Sequence, residues 1–207
     1  MSIEIYQNDY EALYTFFNSI VDTNRVLFNR IIPFIHKGQY NRGETILNYG
    51  DIETRSNFVL KGVVHQFIYD ELTVTTNLTP QGLPFNSLQS YMEKSPSLEV
   101  HEAITDVQLL YMEKEDQERL SKTDPEFCYL WLKIYENILL DRENRMYLLQ
   151  HRSPQKRFRL FQEKVARCNW LLGGTPDKYI ASYLNMTPQQ YFKEKRIYLF
   201  CTITCCH

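Results

Sequence analysis

Thr187, Gln189, Gln190, Lys193, Lys195 and Arg196 crowd one short segment near the C-terminal end of the chain, with Lys178 a little upstream. Amides and cations at this density are not acid–base or nucleophilic machinery. Gln pairs bidentately with adenine, and Lys reaches guanine acceptors or phosphate oxygens. Lys195, Arg196 and Lys178 suit phosphate contacts, which position a protein on a duplex without reading its sequence. A helix opening at Thr187 adds backbone N–H donors that favour an anion. The chemistry implied is recognition of a nucleic acid duplex.

Two short helices must carry these side chains. In Tyr179 to Arg196, YIASYLNMTPQQYFKEKR, the hinge falls at Asn185-Met186-Thr187. Ile180, Ala181 and Leu184 supply an inner face, with Ala181 small enough for close helix approach. Asn185 tolerates the left-handed backbone that a tight turn requires. Thr187 then caps the second helix and Pro188 takes its first position. This is a helix-turn-helix pattern, whose second helix presents its N-terminal residues to base edges. Upstream, Pro154 to Trp170 reads as a helix capped by Ser153, followed by a turn at Gly173-Gly174-Thr175-Pro176, with Thr175 as a second cap before Pro176.

The charge distribution agrees. The 207 residues carry a net charge of −2, but residues 151–207 hold 10 Lys+Arg against 3 Asp+Glu, a balance of +7, and residues 1–150 balance at −9. A basic appendage on an acidic body points to a polyanionic partner for the appendage alone.

Other chemistries find no constellation. His36, His65, His101 and His151 are scattered singly, without the clustered His and Glu that a jelly-roll metalloenzyme requires. No Ser/His/Asp grouping, Walker loop or carboxylate pair appears, so the chain is read as a non-enzyme without cofactor or metal. Cys201, Cys205, Cys206 and His207 could ligate zinc, yet adjacent cysteines without a second ligand pair read as a tail. Five cysteines, three of them in the last seven residues, imply no disulfide framework and fit a reducing cytoplasm. No apolar run approaches the roughly 18 residues of a membrane span, and no signal peptide is evident.

Further upstream the pattern changes twice. Residues 9–29 hold apolar positions at helical spacing, one or two packing helices. From Phe34 to about Met112, short β-rich runs alternate with breaks at Gly43, Gly50-Asp51, Lys61-Gly62 and Asp70-Glu71, which suggests a β-sandwich or small barrel. In Val63 to Tyr69 the large side chains do not alternate cleanly, so both faces of that strand are expected to be covered. Residues 115–150 read as one long helix bearing two apolar stripes. Phe127, Trp131, Ile134, Ile138, Asp141, Arg145 and Leu148 form one; Cys128, Leu132, Tyr135, Leu139, Arg142, Met146 and Leu149 form the other. One stripe must cover the helix's own domain and the other something else, a second copy of the helix or the remaining core. The expected interface residues are Phe127, Trp131, Ile134, Ile138 and Arg145.

The order of β-domain, long helix and helix-turn-helix resembles the Crp/Fnr family of bacterial transcription regulators. Gln39 to Asp51, QYNRGETILNYGD, resembles the family's opening strand and turn; Asn57 to Val64, NFVLKGVV, its hairpin; and Ile180 to Arg196 its DNA-reading unit. The resemblance implies an α+β chain: a jelly-roll sensor over 1–115, a dimerisation helix over 116–150 and a DNA-binding domain over 151–207. It implies a cytoplasmic homodimer bound to an operator in double-stranded DNA.

The departures are specific. Cyclic-nucleotide-binding members hold a Gly-Glu pair followed by an Arg. Here Gly82-Leu83-Pro84-Phe85-Asn86-Ser87 lacks the pair, and no Arg occurs between Lys61 and Arg119. A buried cyclic phosphate needs a fixed cation, and Glu99 would repel it, so no response to cyclic AMP or cyclic GMP is expected. Another small effector, in a pocket of Phe85, Leu88, Tyr91 and Met92, stands beside a packed core without a ligand. The first cysteine is Cys128, which disfavours the family's iron–sulfur chemistry. Tyr191-Phe192-Lys193 replaces the usual Leu-Ser-Arg, and too few residues follow Ile197 for a full wing, so a truncated or absent wing is expected. The alternative is a regulator-derived protein that binds a protein or small ligand through its jelly roll, with weak or no DNA binding.

Overall fold

The computed structural model describes residues 3–165 and 167–204, with side chains through Tyr198. It divides into two compact units, Met1–Ile138 and Leu139–His207.

The first unit opens with α1 (Gln7–Ile20) and α2 (Arg25–Ile31), the latter capped by the Asn24 side chain, which accepts from Leu27 N. Eight strands follow among the described residues: β1 (His36–Tyr40), β2 (Thr45–Leu47), β3 (Arg55–Lys61), β4 (Val63–Asp70), β5 (Leu72–Pro80), β6 (Pro84–Phe85), β7 (Glu99–Ala103) and β8 (Val107–Glu113). A short helix, α3 (Leu88–Glu93), lies between β6 and β7. The strands form two antiparallel four-stranded sheets, ordered β1-β8-β3-β6 and β2-β7-β4-β5. This is the sandwich expected from the spacing of β runs and turns.

Alternation along β3 explains why both faces of its sheet are covered. Val59 points into the sandwich with Val64, Phe85, Ala103, Val107 and Leu109. Phe58 points the other way, into a cluster with Leu13 and Phe17 of α1, Phe28 of α2 and Leu110 of β8. Every residue from Val63 to Phe67 of β4 is buried, which accounts for the missing alternation there. The β3–β4 turn depends on Gly62, whose φ is +90°. A Cβ at Gly62 would collide with the Asp106 carbonyl oxygen.

The stretch read as one helix over 115–150 is two, α4 (Lys114–Thr123) and α5 (Pro125–Leu149). Asp124 leaves helical geometry at φ −129°, and its Oδ1 accepts from Glu126 N and Phe127 N. Asp at the cap and Pro at the first position restart the helix. Arg30 of α2 grips the junction, donating to Asp124 and Glu126.

The second unit contains the end of α5 and four further helices among the described residues: α6 (Pro154–Lys164), α7 (Cys168–Gly174), α8 (Asp177–Tyr183) and α9 (Pro188–Thr204). Ser153 caps α6 as expected, accepting from Lys156 N. The Pro154–Trp170 helix instead ends at Lys164, and Gly173 and Gly174 close α7 rather than forming a free turn. Thr175 caps nothing: the α8 N-cap is Pro176, and Thr175 Oγ1 is buried without a hydrogen-bond partner. No strand follows α9 among the described residues.

Candidate nucleic-acid interface

The turn between α8 and α9 is built as the residue types dictate. Asn185 adopts φ 51°, in the left-handed region, and Met186 N donates to Ala181 O across the turn. Thr187 and Gln190 form a reciprocal capping box: Thr187 Oγ1 accepts from Gln190 N, and Gln190 Oε1 accepts from Thr187 N. Both residues were expected at DNA. Here their side chains are engaged in starting α9.

Buried groups fix the pair. Ile180, Ala181, Tyr183 and Leu184 are buried, and Tyr191 of α9 packs edge-on against Phe158 of α6. Burial and the neighbouring Asp177 push the Tyr191 phenol up, and its OH donates to Asp177 Oδ1 at 3.3 Å. Two arginines hold the carbonyls that the end of α8 leaves free. Arg145 donates to Tyr183 O at 3.2 Å and lies 4.6 Å from the Tyr183 ring centroid. Arg157 donates to Asn185 O at 2.9 Å and, with its other nitrogen, to His151 O and Arg152 O at 2.7 and 3.2 Å. Arg167, buried, pairs with Asp141 at 2.6 Å and donates to the Tyr183 hydroxyl.

Given this anchoring, α9 has one face in and one out. Tyr191 and Glu194 are turned inward, whereas Gln189, Phe192, Lys193 and Arg196 are exposed. These four recur at steps of three and four, a single stripe on a helix. The acid that interrupts the basic run in sequence is therefore absent from the outward face. Lys195 differs from its expected role: its Nζ pairs with Asp177 Oδ1 at 2.6 Å. Lys178 is exposed, its Nζ 4.7 Å from the Tyr179 ring centroid. Cys201, Cys205, Cys206 and His207 lie outside the described residues or side chains.

The expected interface on α5 needs correction. Phe127, Trp131 and Ile134 are buried within the first unit, with Ile138 packed partly against them, so this stripe covers the chain's own core. Arg145 is turned onto Tyr183 instead. The other face of α5 is exposed: Tyr129, Leu132, Leu139, Leu140, Met146 and Tyr147 are each at least half accessible. Leu132, Leu139 and Met146 recur every seven residues, the period of a helix–helix seam.

The residues expected to line an effector pocket differ in their surroundings. Phe85 is part of the sandwich core, Tyr91 is buried with its OH toward Gln117, Leu88 is half-buried, and Met92 is 57% exposed. None of them lines the small apolar cavity of about 30 Å³ found between Leu13, Phe17, Phe58, Leu110 and Trp131. Beside the apolar core of the sandwich sits a polar network instead. Gln66 donates to Asn86 O, meets His101 Nε2 at 3.1 Å and accepts from Asn77 and Thr79. Glu53, 4% exposed, accepts from Arg55 N and Ser87 N and lies 3.8 Å from His101 Nδ1. Burial raises the Glu53 carboxyl above its usual range, against the pull of His101. Single histidines in sequence showed nothing of this; strand register makes Gln66 and His101 neighbours.

Among the described residues no group of three or more His, Cys, Asp or Glu could hold a metal ion, and no helix is long and apolar enough to cross a membrane. No protein-family model and no curated protein matches the chain. Solved structures do. FixK2 from Bradyrhizobium japonicum is 17% identical, with TM-score 0.66 over 82% of this chain and 86% of that one. A cyclic nucleotide-binding domain from Methylobacillus flagellatus KT is 15% identical, with TM-score 0.62 over 68% and 81%. The catabolite activator protein of Thermus thermophilus is 16% identical, with TM-score 0.53 over 86% and 84%. The chain therefore has the fold of the Crp/Fnr-type regulators and of cyclic nucleotide-binding domains: an antiparallel β-sandwich, a long helix and a C-terminal helical unit.

Proposed function

We propose that the chain is a DNA-binding transcription regulator of the Crp/Fnr type, a homodimer with no catalytic role. The observation that carries this reading is the outward face of α9. Gln189, Lys193 and Arg196 stand exposed on a helix whose turn, cap and inner face are all locked, with Glu194 turned away. Such a surface complements a phosphate-lined groove carrying hydrogen-bonding base edges.

The unpaired Leu132–Leu139–Met146 seam supports pairing of two α5 helices, which presents two α9 helices to a two-fold site. No arginine occurs between Lys61 and Arg119, and a buried cyclic phosphate needs a fixed cation, which supports indifference to cyclic AMP and cyclic GMP.

Selection of bound duplexes from a random pool, with sedimentation of the free protein, tests the proposal. The expected result is a dimer that binds two-fold-symmetric DNA. Lys178, Lys193 and Arg196 in two copies predict a slope of roughly −5 for log affinity against log salt. Leu139→Glu should yield a monomer with weakened DNA binding. A wild-type monomer at tens of micromolar, or duplex binding indifferent to salt, would defeat the proposal.

A further inference from the structure

Phe192 is half exposed on a helix face that carries two cations, Lys193 and Arg196. Single exposed apolar residues are ordinary. What marks this one is its company: Gln189 precedes it by three residues, Lys193 adjoins it, and Arg196 follows one turn later. The residues that fill the interior, Tyr191 and Glu194, sit on the opposite side, so Phe192 takes no part in closing the domain. Its ring lies edge-on to that of Tyr191, at 6.1 Å between centroids.

The face thus combines one amide, one aromatic ring and two cations. In the major groove, the only apolar group on any base edge is the C5-methyl of thymine, and Phe is among the side chains that contact it. Gln pairs bidentately with N6 and N7 of adenine. Three residues along a helix advance about 4.5 Å, comparable with the 3.4 Å step between bases. Gln189 and Phe192 can therefore address neighbouring base pairs, while Lys193 and Arg196 hold flanking phosphates or guanine.

We infer that Phe192 is a specificity-determining residue that seats on a thymine methyl group, and that with Gln189 it reads a step rich in A·T pairs. This rests on the DNA-binding reading and adds the class of base read. A groove-facing ring without donors discriminates by shape and by the cost of unpaired polar edges. At this position cytosine would present an amino group and guanine unsatisfied acceptors, which the ring cannot pair.

The test uses the full-length protein and duplexes chosen by selection from a random pool at fixed salt. Each thymine of the half-site is replaced in turn by deoxyuridine, which removes the methyl group alone. At one thymine per half-site, uracil should weaken wild-type binding about fourfold, and about fifteenfold when both half-sites are altered. Phe192→Ala should bind more weakly and lose that sensitivity, and Phe192→Leu should keep part of it. Lys193→Ala should bind more weakly yet remain sensitive, which separates the ring from general loss of affinity. Sequence-selective wild-type binding that ignores uracil everywhere would overturn this inference while leaving DNA recognition standing. Equal sensitivity in wild type and Phe192→Ala would remove Phe192 as the reader. Recovery of no duplex at all would overturn both readings and redirect Phe192 to a protein partner.

Discussion

Replacing Arg157 by Met should loosen the α8–α9 unit without touching the β-sandwich. The guanidinium makes three hydrogen bonds, to the carbonyls of His151, Arg152 and Asn185, from a residue only 8% exposed. It thereby ties the chain entering α6 to the turn of the helix pair. Asn185 and Arg152 are themselves exposed, so water can partly replace the lost donors. Each bond is then worth about 1 kcal/mol, the net value for a solvent-compensated hydrogen bond, and the three together about 3 kcal/mol. Met keeps much of the side-chain volume, so the loss reports the bonds rather than a cavity.

At 1.4 kcal/mol per tenfold, that loss corresponds to faster amide exchange in α8 and α9 on the order of 100-fold. Hydrogen exchange resolved by peptide mass spectrometry reads both units at once, with peptides from β4 and β8 as internal reference. Arg157→Lys should fall between, since an ammonium cannot span the three carbonyls that the fork reaches. Exchange in 177–198 within threefold of wild type for Arg157→Met would refute the reasoning, as would an equal change in the sandwich.

Two further outcomes follow from local geometry. Asn185 holds φ 51°, so Asn185→Val should cost about 1–2 kcal/mol, read as a lower urea midpoint for the C-terminal unit, while Asn185→Gly should leave it unchanged or raise it. Glu53 has a carboxyl raised by burial, so the folded chain holds its proton more tightly than the unfolded chain. The stability it contributes is present below the ordinary glutamate range and declines as pH rises through the folded value. Glu53→Gln should therefore gain in melting temperature relative to wild type between pH 4 and pH 7, and a constant difference across that range would contradict the argument.

Much of the helix-turn-helix was legible because its determinants are local. Asn at the turn, Thr at the cap and Pro at the first position each act on the adjacent backbone, and each sits where the residue type requires. The sandwich was legible through turn spacing and the non-alternating Val63–Phe67 run, every residue of which is buried. The break at Asp124-Pro125 was equally local, a capping residue before a first-position proline, and those two residues carried the signal, since both apolar stripes begin only at Phe127 and Cys128.

The failures share a different cause. Both stripes of α5 are apolar, and periodicity cannot say which one faces home. That is decided by partners distant in sequence: Phe17, Phe28 and Phe58 leave room for Phe127 and Trp131, and so Leu132, Leu139 and Met146 remain outside. Lys195 and Gln190 read as free donors because their partners, Asp177 and the Thr187 backbone, engage them only once the helices have formed. The same logic gives Phe192 its standing. In sequence it is a bulky intruder beside Tyr191, but the fold sends Tyr191 inward against Phe158 and Phe192 outward beside Gln189 and Arg196. Two adjacent aromatics thus divide the work of one helix, the first fixing its orientation and the second left exposed. On the proposed DNA-binding reading, the recognition surface is the part of α9 that the unit's own packing leaves over, and altering Tyr191 should displace every reader at once whereas altering Phe192 should weaken binding and remove one reader alone.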